Sequence, residues 1–249
     1  MCGILAFISD SINRDSFVNS LNLLNHRGPD NSGYHFIRDI GLGHKRLSIL
    51  DQSPRGRQPM SDEKKRVFVT YNGEIYNFKV LRSILKKKGY SFTSDTDTEV
   101  LTRGYLEWGI SGLVKRIEGM FAFCLYDTKK MKLYVVRDRV GMKPLYYRLT
   151  EKGIIISSEI KSILNLGNTA ELDDLYMYTS LFYLRNRIGE KTPFKDINEL
   201  LPGSILEYDE KNKKIVAINK YFDPVKLIKK KIYVRNMDIS LKDKVIELK

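Results

Sequence analysis

The chain opens Met1-Cys2-Gly3 and passes at once into Ile4-Leu5-Ala6-Phe7-Ile8-Ser9, an apolar run rich in strand-forming residues. That run predicts a strand over Gly3–Ser9, buried from its first residues. A chain whose N-terminus enters the core directly must build its other layers around it. It also fixes in space whatever stands at the mouth of that strand, and here that residue is Cys2.

A cysteine in an apolar strand is more often a small buried hydrophobe than a nucleophile. Position changes that weighting. Cysteine is small enough for a preceding initiator methionine to be excised, which leaves a free α-amine and a thiol on one residue. An α-amine titrates at about 7.7–8.0, far closer to neutrality than lysine. It can accept the thiol proton and later donate a proton to a leaving amine. A strand held in the core would keep nucleophile and base together without loop freedom. The leading reading is hydrolysis of an amide by the Cys2 thiol after loss of Met1.

The remaining chain reads as mixed structure. A helix carrying Phe17, Leu21 and Leu24 is expected after a cap at Asp15 or Ser16, ending before the loop His26-Arg27-Gly28-Pro29-Asp30. Short strands are expected at Tyr34–Ile37, Leu47–Leu50 and Val67–Tyr71. Phe78, Leu81 and Leu85 recur at helical spacing with Gly89 as the stop, and a second helix starts at Asp97 or Thr98 and runs through Leu101 and Tyr105. Strand pairs follow at Met120–Tyr126 with Leu133–Val136, and at Leu145–Leu149 with Ile154–Ser157. This order predicts layered α and β structure, not a bundle, a sandwich or a doubly wound parallel sheet. Beyond Tyr208 the sequence turns lysine-rich and weakly periodic. We therefore expect a domain over residues 2–208 and, over 209–249, a basic linker or tail or the opening of another domain.

Charge and composition exclude several classes. The net charge of +13 is concentrated at the end: residues 211–249 hold twelve Lys and Arg against four Asp and Glu. That segment has neither a recognition-helix pattern nor regular aromatic interleaving, so it reads as solvated or partner-facing and not as a nucleic-acid site. No stretch approaches the ~20 apolar residues that cross a bilayer, and the apolar start lacks the basic region of a secretory signal. Cys2 and Cys124 provide neither a disulfide framework nor metal-knuckle spacing. His26, His35 and His44 lack zinc-protease spacing. A free terminal thiol suits a reducing, cytoplasmic setting.

Other residues fit amide chemistry. In Tyr71-Asn72-Gly73-Glu74 the Asn72 amide and the Gly73 N–H are candidate donors for a developing oxyanion, against the simpler reading of Asn-Gly as a turn. Arg46 offers a bidentate fork for an α-carboxylate, and Glu74 and Asp97 offer anions for an α-ammonium. The plain alternatives are a surface ion pair for Arg46 and a helix cap for Asp97. A Cys-His dyad with His26 or His44 is the chemical rival. The segment Arg137-Asp138-Arg139-Val140-Gly141-Met142-Lys143-Pro144 has charge for phosphate but no glycine-rich nest, and reads as a buried ion network or contact surface.

Taken together, MCGI at the start, HRGPD at 26–30, RLSILD at 46–51, QPM at 58–60, YNGEIYN at 71–77, SDTDTEV at 94–100, GMFAF at 119–123, RDRVGMKPLYY at 137–147, SSEIKSIL at 157–164 and TPFKDINELLPG at 192–203 resemble one family. It is the N-terminal glutaminase domain of glutamine-hydrolysing asparagine synthetases, class II amidotransferases of the N-terminal-nucleophile hydrolase group. The resemblance implies an α+β fold of four layers, αββα, with two stacked and mainly antiparallel sheets. It implies Cys2 as nucleophile, Asn72 and Gly73 as oxyanion donors, and Arg46, Glu74 and Asp97 as binders of glutamine. The loop of Arg27 and Gly28 would be a flap over the substrate. Glutamine would pass through a γ-glutamyl thioester to glutamate and ammonia, with no cofactor on this chain. ATP and magnesium belong to a synthetase domain that amidates aspartate, and no SGGxDS-type pyrophosphate loop occurs in these 249 residues. A synthetase domain or subunit is the expected partner, and a second copy of the chain is a further candidate. A phosphoribosylamine- or glucosamine-forming amidotransferase matches less well after residue 90. An inactive scaffold with the same fold, or ammonia supply to a different acceptor, are the other readings.

Overall fold

The computed structural model of the chain describes residues 1–48, 51, 53–167, 170–183 and 188–226. Its elements in chain order are β1 (Gly3–Ser9), α1 (Arg14–Asn22), β2 (Asn31–Ile37), β3 (Ile40–Arg46), β4 (Met60–Ser61) and β5 (Val67–Ile75). There follow α2 (Phe78–Lys87), α3 (Thr98–Arg116), β6 (Gly119–Asp127), β7 (Lys132–Arg137), β8 (Tyr146–Thr150) and β9 (Gly153–Ser157). The series ends with α4 (Ile160–Gly167), α5 (Asp174–Tyr183), β10 (Ile197–Glu199), β11 (Ser204–Asp209) and β12 (Lys214–Lys220). One six-stranded sheet has the order β10-β8-β9-β1-β3-β2 and the other β12-β11-β7-β6-β5-β4. All their pairings are antiparallel.

Strand alternation sorts the core into three layers. Ile4, Ala6 and Ile8 of β1 meet Phe68, Cys124, Tyr126 and Val135 of the second sheet between the two sheets. Leu5 and Phe7, on the other side of β1, pack with Phe17 and Leu21 of α1 and Ile163 of α4. Val67, Val69, Tyr71 and Ile75 of β5 pack with Leu81 and Leu85 of α2 and Leu101 and Tyr105 of α3. The result is helix, sheet, sheet, helix, as expected. Among the described residues no helix is long and apolar enough to cross a membrane.

Four local expectations need correction. The cap of α1 is Asn13, whose side chain accepts from the Ser16 N–H at 2.8 Å, and not Asp15 or Ser16. The strand expected at Leu47–Leu50 is displaced to β3: Leu47 and Ser48 lie past its end, and Ile49 and Leu50 lie outside the described residues. Glycines disguised β3, and packing explains them. A Cβ on Gly41 would stand 2.2 Å from the Phe7 ring, and one on Gly43 would stand 2.8 Å from Phe17. The strand of β5 does not stop at Tyr71 but runs through Asn72-Gly73 to Ile75, so Asn-Gly is not a turn here. Finally, the sheet continues past the boundary expected after Tyr208. β12 pairs with β11 from Ser204↔Lys220 to Asp209↔Lys214, and the Tyr221 hydroxyl donates to the Arg137 carbonyl at 2.8 Å. The rest of the expected basic tail, 227–249, lies outside the described residues.

Candidate active site

The site is built at one end of the two stacked sheets, where three strands present their inward faces. The β1–β3 ladder pairs Gly3 with Lys45, so Cys2 comes one step beyond it, level with Arg46. Even-numbered residues of β1 and β3 face the inter-sheet layer, and so do those of β5. The same period of two therefore aims Cys2, Arg46, Asn72 and Glu74 at one space. These four line one cavity of about 240 Å³ with Met1, Gly73, Asp97, Gln58, Tyr71, Met120 and Lys143.

The Cys2 sulfur is held by the residue after β3. It accepts from the Leu47 N–H at 3.4 Å and lies 3.7 Å from the Leu47 carbonyl. Burial pushes the thiol up from its ordinary range, with Asp97 adding to the rise, while the Leu47 contact, the terminal amine and Arg46 draw it down. Its own carbonyl accepts from the Arg27 Nε at 2.9 Å. Met1 precedes Cys2 at the cavity rim and is exposed.

Asn72 is 1% exposed, and among the described residues its Nδ2 has no hydrogen-bond partner. A buried donor left open costs roughly 1–3 kcal/mol, so its position on a cavity wall calls for a ligand oxygen. Gly73 follows from strand geometry. In an antiparallel strand the N–H groups of residues 71, 73 and 75 leave by the same edge. β4 pairs only with Phe68 and Val69, so that edge is uncovered by sheet from Tyr71 onward. The Tyr71 N–H is taken by Gln58 Oε1 at 2.7 Å and the Ile75 N–H by Asp97 Oδ2 at 2.8 Å. Gly73 lies between them on that edge and lines the cavity. Only glycine fits there, since a Cβ would stand 2.2 Å from the Met120 carbonyl oxygen.

Arg46 is buried, which removes the surface-pair reading. Its guanidinium donates to the Asp51 carbonyl at 2.5 Å and the Ser53 carbonyl at 3.3 Å. Gly56 permits this, because a Cβ on it would stand 2.1 Å from Arg46 Nη2. Asp97 occupies the cap position of α3 but its side chain does not cap the helix. It turns instead to the Tyr71 hydroxyl at 2.6 Å and the Ile75 N–H. Burial raises its carboxyl above the usual range, and these two donors hold it down.

Neither rival histidine bonds the thiol. His44 Nε2 sits 3.0 Å from the Tyr71 carbonyl, and burial pushes its imidazole down to about 3. His26 contacts Glu159 at 2.8 Å. Arg27, expected on a flap with Gly28, is buried and bridges Glu159 to the Cys2 carbonyl. Gly28 packs against the Lys45 backbone, where a Cβ would stand 2.3 Å from the carbonyl oxygen. In this conformation the segment anchors the Cys2 backbone. The cluster read as an ion network is one: Arg137 donates to Glu199 at 2.6 Å and to three carbonyls, while Asp138 accepts from the N–H groups of Phe121, Val140, Met142 and Lys143. Gln58, Tyr71, Met120 and Lys143 were not assigned to the site from sequence. Gln58 and Tyr71 lay inside motifs that were noted, but nothing in their spacing says that they face the thiol.

Comparisons with known proteins agree with this geometry. A family described as a glutamine amidotransferase domain matches residues 1–222. Amidase chyE of Penicillium rubens is 35% identical over 220 residues, covering 83% of this chain and 32% of the relative. The glutamine-hydrolysing asparagine synthetase 1 of Bacillus subtilis is 37% identical over 179 residues, covering 70% of this chain and 28% of its own. The chain thus spans about a third of the length of these relatives. Among solved structures, the glutamine phosphoribosylpyrophosphate amidotransferase of B. subtilis superposes with a TM-score of 0.66 at 17% identity, covering 88% of this chain and 49% of that one. That likeness bears on the fold alone. With the family match running from Met1 past the end of β12, the chain belongs to the glutamine amidotransferase domain family.

Proposed function

We propose that the chain hydrolyses the side-chain amide of L-glutamine at Cys2, once Met1 is removed, and hands on the ammonia. The observation that carries the reading is the open Asn72 Nδ2, buried on the wall of the cavity that Cys2, Arg46, Gly73, Glu74 and Asp97 also line. In this mechanism Arg46 takes the α-carboxylate, and Asp97 and Glu74 take the α-ammonium. The Cys2 sulfur attacks the amide carbon while the α-amine of Cys2 accepts the thiol proton. Negative charge on the amide oxygen falls between Asn72 Nδ2 and the Gly73 N–H. The C–N bond then breaks, the amine's proton goes to the leaving nitrogen, and ammonia departs from a γ-glutamyl thioester. Water adds to the thioester with the amine again taking the proton, and glutamate and the free thiol are released. No cofactor enters these steps, and no residue of this chain is assigned to ATP or magnesium. A free terminal thiol favours a reducing compartment such as the cytoplasm.

For the acceptor, the asparagine synthetase relatives support amidation of aspartate by an ATP-using domain or subunit. The amidase relatives support a different acceptor at similar identity. An inactive scaffold that keeps Met1 is the other reading. Intact mass of the purified chain separates the two, since activity requires loss of the methionine. A glutamine analogue bearing a thiol-reactive group is expected to label Cys2 and to abolish glutamate formation. Labelling confined to Cys124 would remove Cys2 from its role.

A further inference from the structure

Among the described residues, the neighbours that hold Asp97 do so at one oxygen. The Tyr71 hydroxyl and the Ile75 N–H donate to Oδ2, at 2.6 and 2.8 Å, and the remaining donor is Asp97's own backbone N–H. Tyr71 is itself buried, 2% exposed, and shares the cavity wall with Asp97. The strand that carries Tyr71 is tied to the helix that carries Asp97. Gln58 accepts from the Tyr71 N–H through Oε1 at 2.7 Å and donates to Thr98 Oγ1 through Nε2 at 3.4 Å. A buried carboxylate with both structural donors on one oxygen keeps the other for a ligand, and its rotamer cannot turn without breaking a short bond.

We infer that Tyr71 is a positioning residue for substrate recognition: its hydroxyl locks the Asp97 carboxylate so that Oδ1 receives the α-ammonium of an L-amino-acid amide. The inference rests on the reading of the cavity as a glutamine site. Through Asp97, Tyr71 sets selectivity for amides that carry an α-amine over those that lack one. It does so without touching the reacting atoms.

The charged and titratable groups that share the cavity with Asp97 are Tyr71 and Glu74 from β5, Cys2 with the terminal amine at the head of β1, Arg46 at the end of β3, and Lys143 in the loop between β7 and β8. Of these only the Tyr71 hydroxyl both bonds the carboxylate and can be removed while its ring stays in place. Its bond favours the ionised carboxylate. Without it the Asp97 carboxyl titrates higher, and binding of an ammonium ligand weakens at a higher pH than in the parent.

The test is binding to Cys2→Ala protein with and without Tyr71→Phe, using L-glutamine and glutaric acid monoamide, the same amide without its amine. Tyr71→Phe is expected to weaken glutamine by about tenfold, as for loss of a hydrogen bond to a charged group, and to leave the monoamide unchanged. The acid limb for glutamine moves up in pH. In protein with Cys2 intact, the variant raises KM while kcat stays within about twofold. In an Asp97→Asn background the Tyr71→Phe loss disappears. Asp97→Asn with Tyr71 kept, read with the same two ligands, preserves the test should Tyr71→Phe not fold. It must lose preference for glutamine over the monoamide. Equal weakening of both ligands by Tyr71→Phe would mean that the hydroxyl only supports the fold, and would overturn the inference while leaving the glutamine site standing. A parent protein that binds no glutamine would overturn both.

Discussion

Asn72 and Arg46 carry opposite obligations, and their variants separate binding from chemistry. Arg46 already has carbonyl partners and meets the substrate before reaction, so Arg46→Ala is expected to raise the KM for glutamine by about tenfold or more. A KM equal to the parent's would remove the carboxylate clamp from the mechanism. Asn72 Nδ2 has no partner until charge develops on the substrate oxygen, so Asn72→Ala should slow turnover by about 10²–10³-fold with KM little changed. Turnover near the parental rate would exclude the donor role. His44 gives a stability prediction with a definite sign. Its imidazole is buried and held down to about 3, against about 6.5 unfolded. Between those values the unfolded chain binds the extra proton, so stability is present above pH 6.5 and is lost as pH falls. The loss from this residue is about 2 kcal/mol between pH 7 and pH 5. Denaturant unfolding at the two pH values should show it, and His44→Gln should flatten that slope.

Among elements, β5 does the most for the site. One strand presents Asn72 toward the other sheet, Tyr71 and Ile75 toward α3, and the Gly73 N–H at its open edge. Gly73→Ala tests this arrangement. The new methyl would stand 2.2 Å from the Met120 carbonyl oxygen on β6, a backbone atom that cannot swing away. The strands must part, at a cost of about 1–3 kcal/mol in stability, and the oxyanion donors move with them. Thermal melting and glutamate release should fall together. A variant with normal melting and full activity would show that β5 has slack at this point. The motif segment 71–77 was visible in the sequence, but the continuation of the strand through Asn-Gly was not. Local propensity favours a turn there, and the nine-residue pairing with β6 overrides it.

For the whole molecule, the question is where the domain ends. Lysines flanking and ending β12 made it read as tail, although its middle, Ile215–Ile218, is apolar; an edge strand keeps one face and one edge in solvent, so that run is only partly buried. Its ladder with β11 and the Tyr221–Arg137 bond nonetheless make it part of the second sheet. A chain cut after Tyr208 is expected to be insoluble or to melt well below the full protein, whereas one cut after Lys226 should keep melting and glutamine binding. Equal stability of the two would return the boundary to 208.

The residues proposed to carry the chemistry, from Cys2 and Arg46 to Asp97, were picked out from the chain itself as particular side chains in family-like segments, and the structure brings them to one cavity. The buried first strand and the amphipathic helices were legible too, since hydrophobic period reports which face an element buries. Only tertiary structure decided that Tyr71 and Gln58 belong with them, that Arg27 anchors the Cys2 carbonyl, that glycine-rich 40–46 is a central strand and that 214–220 is an edge. Those outcomes depend on close approach between segments far apart in the chain, such as α1 on Gly43 or β6 on Gly73, and a local pattern carries no record of its distant neighbour.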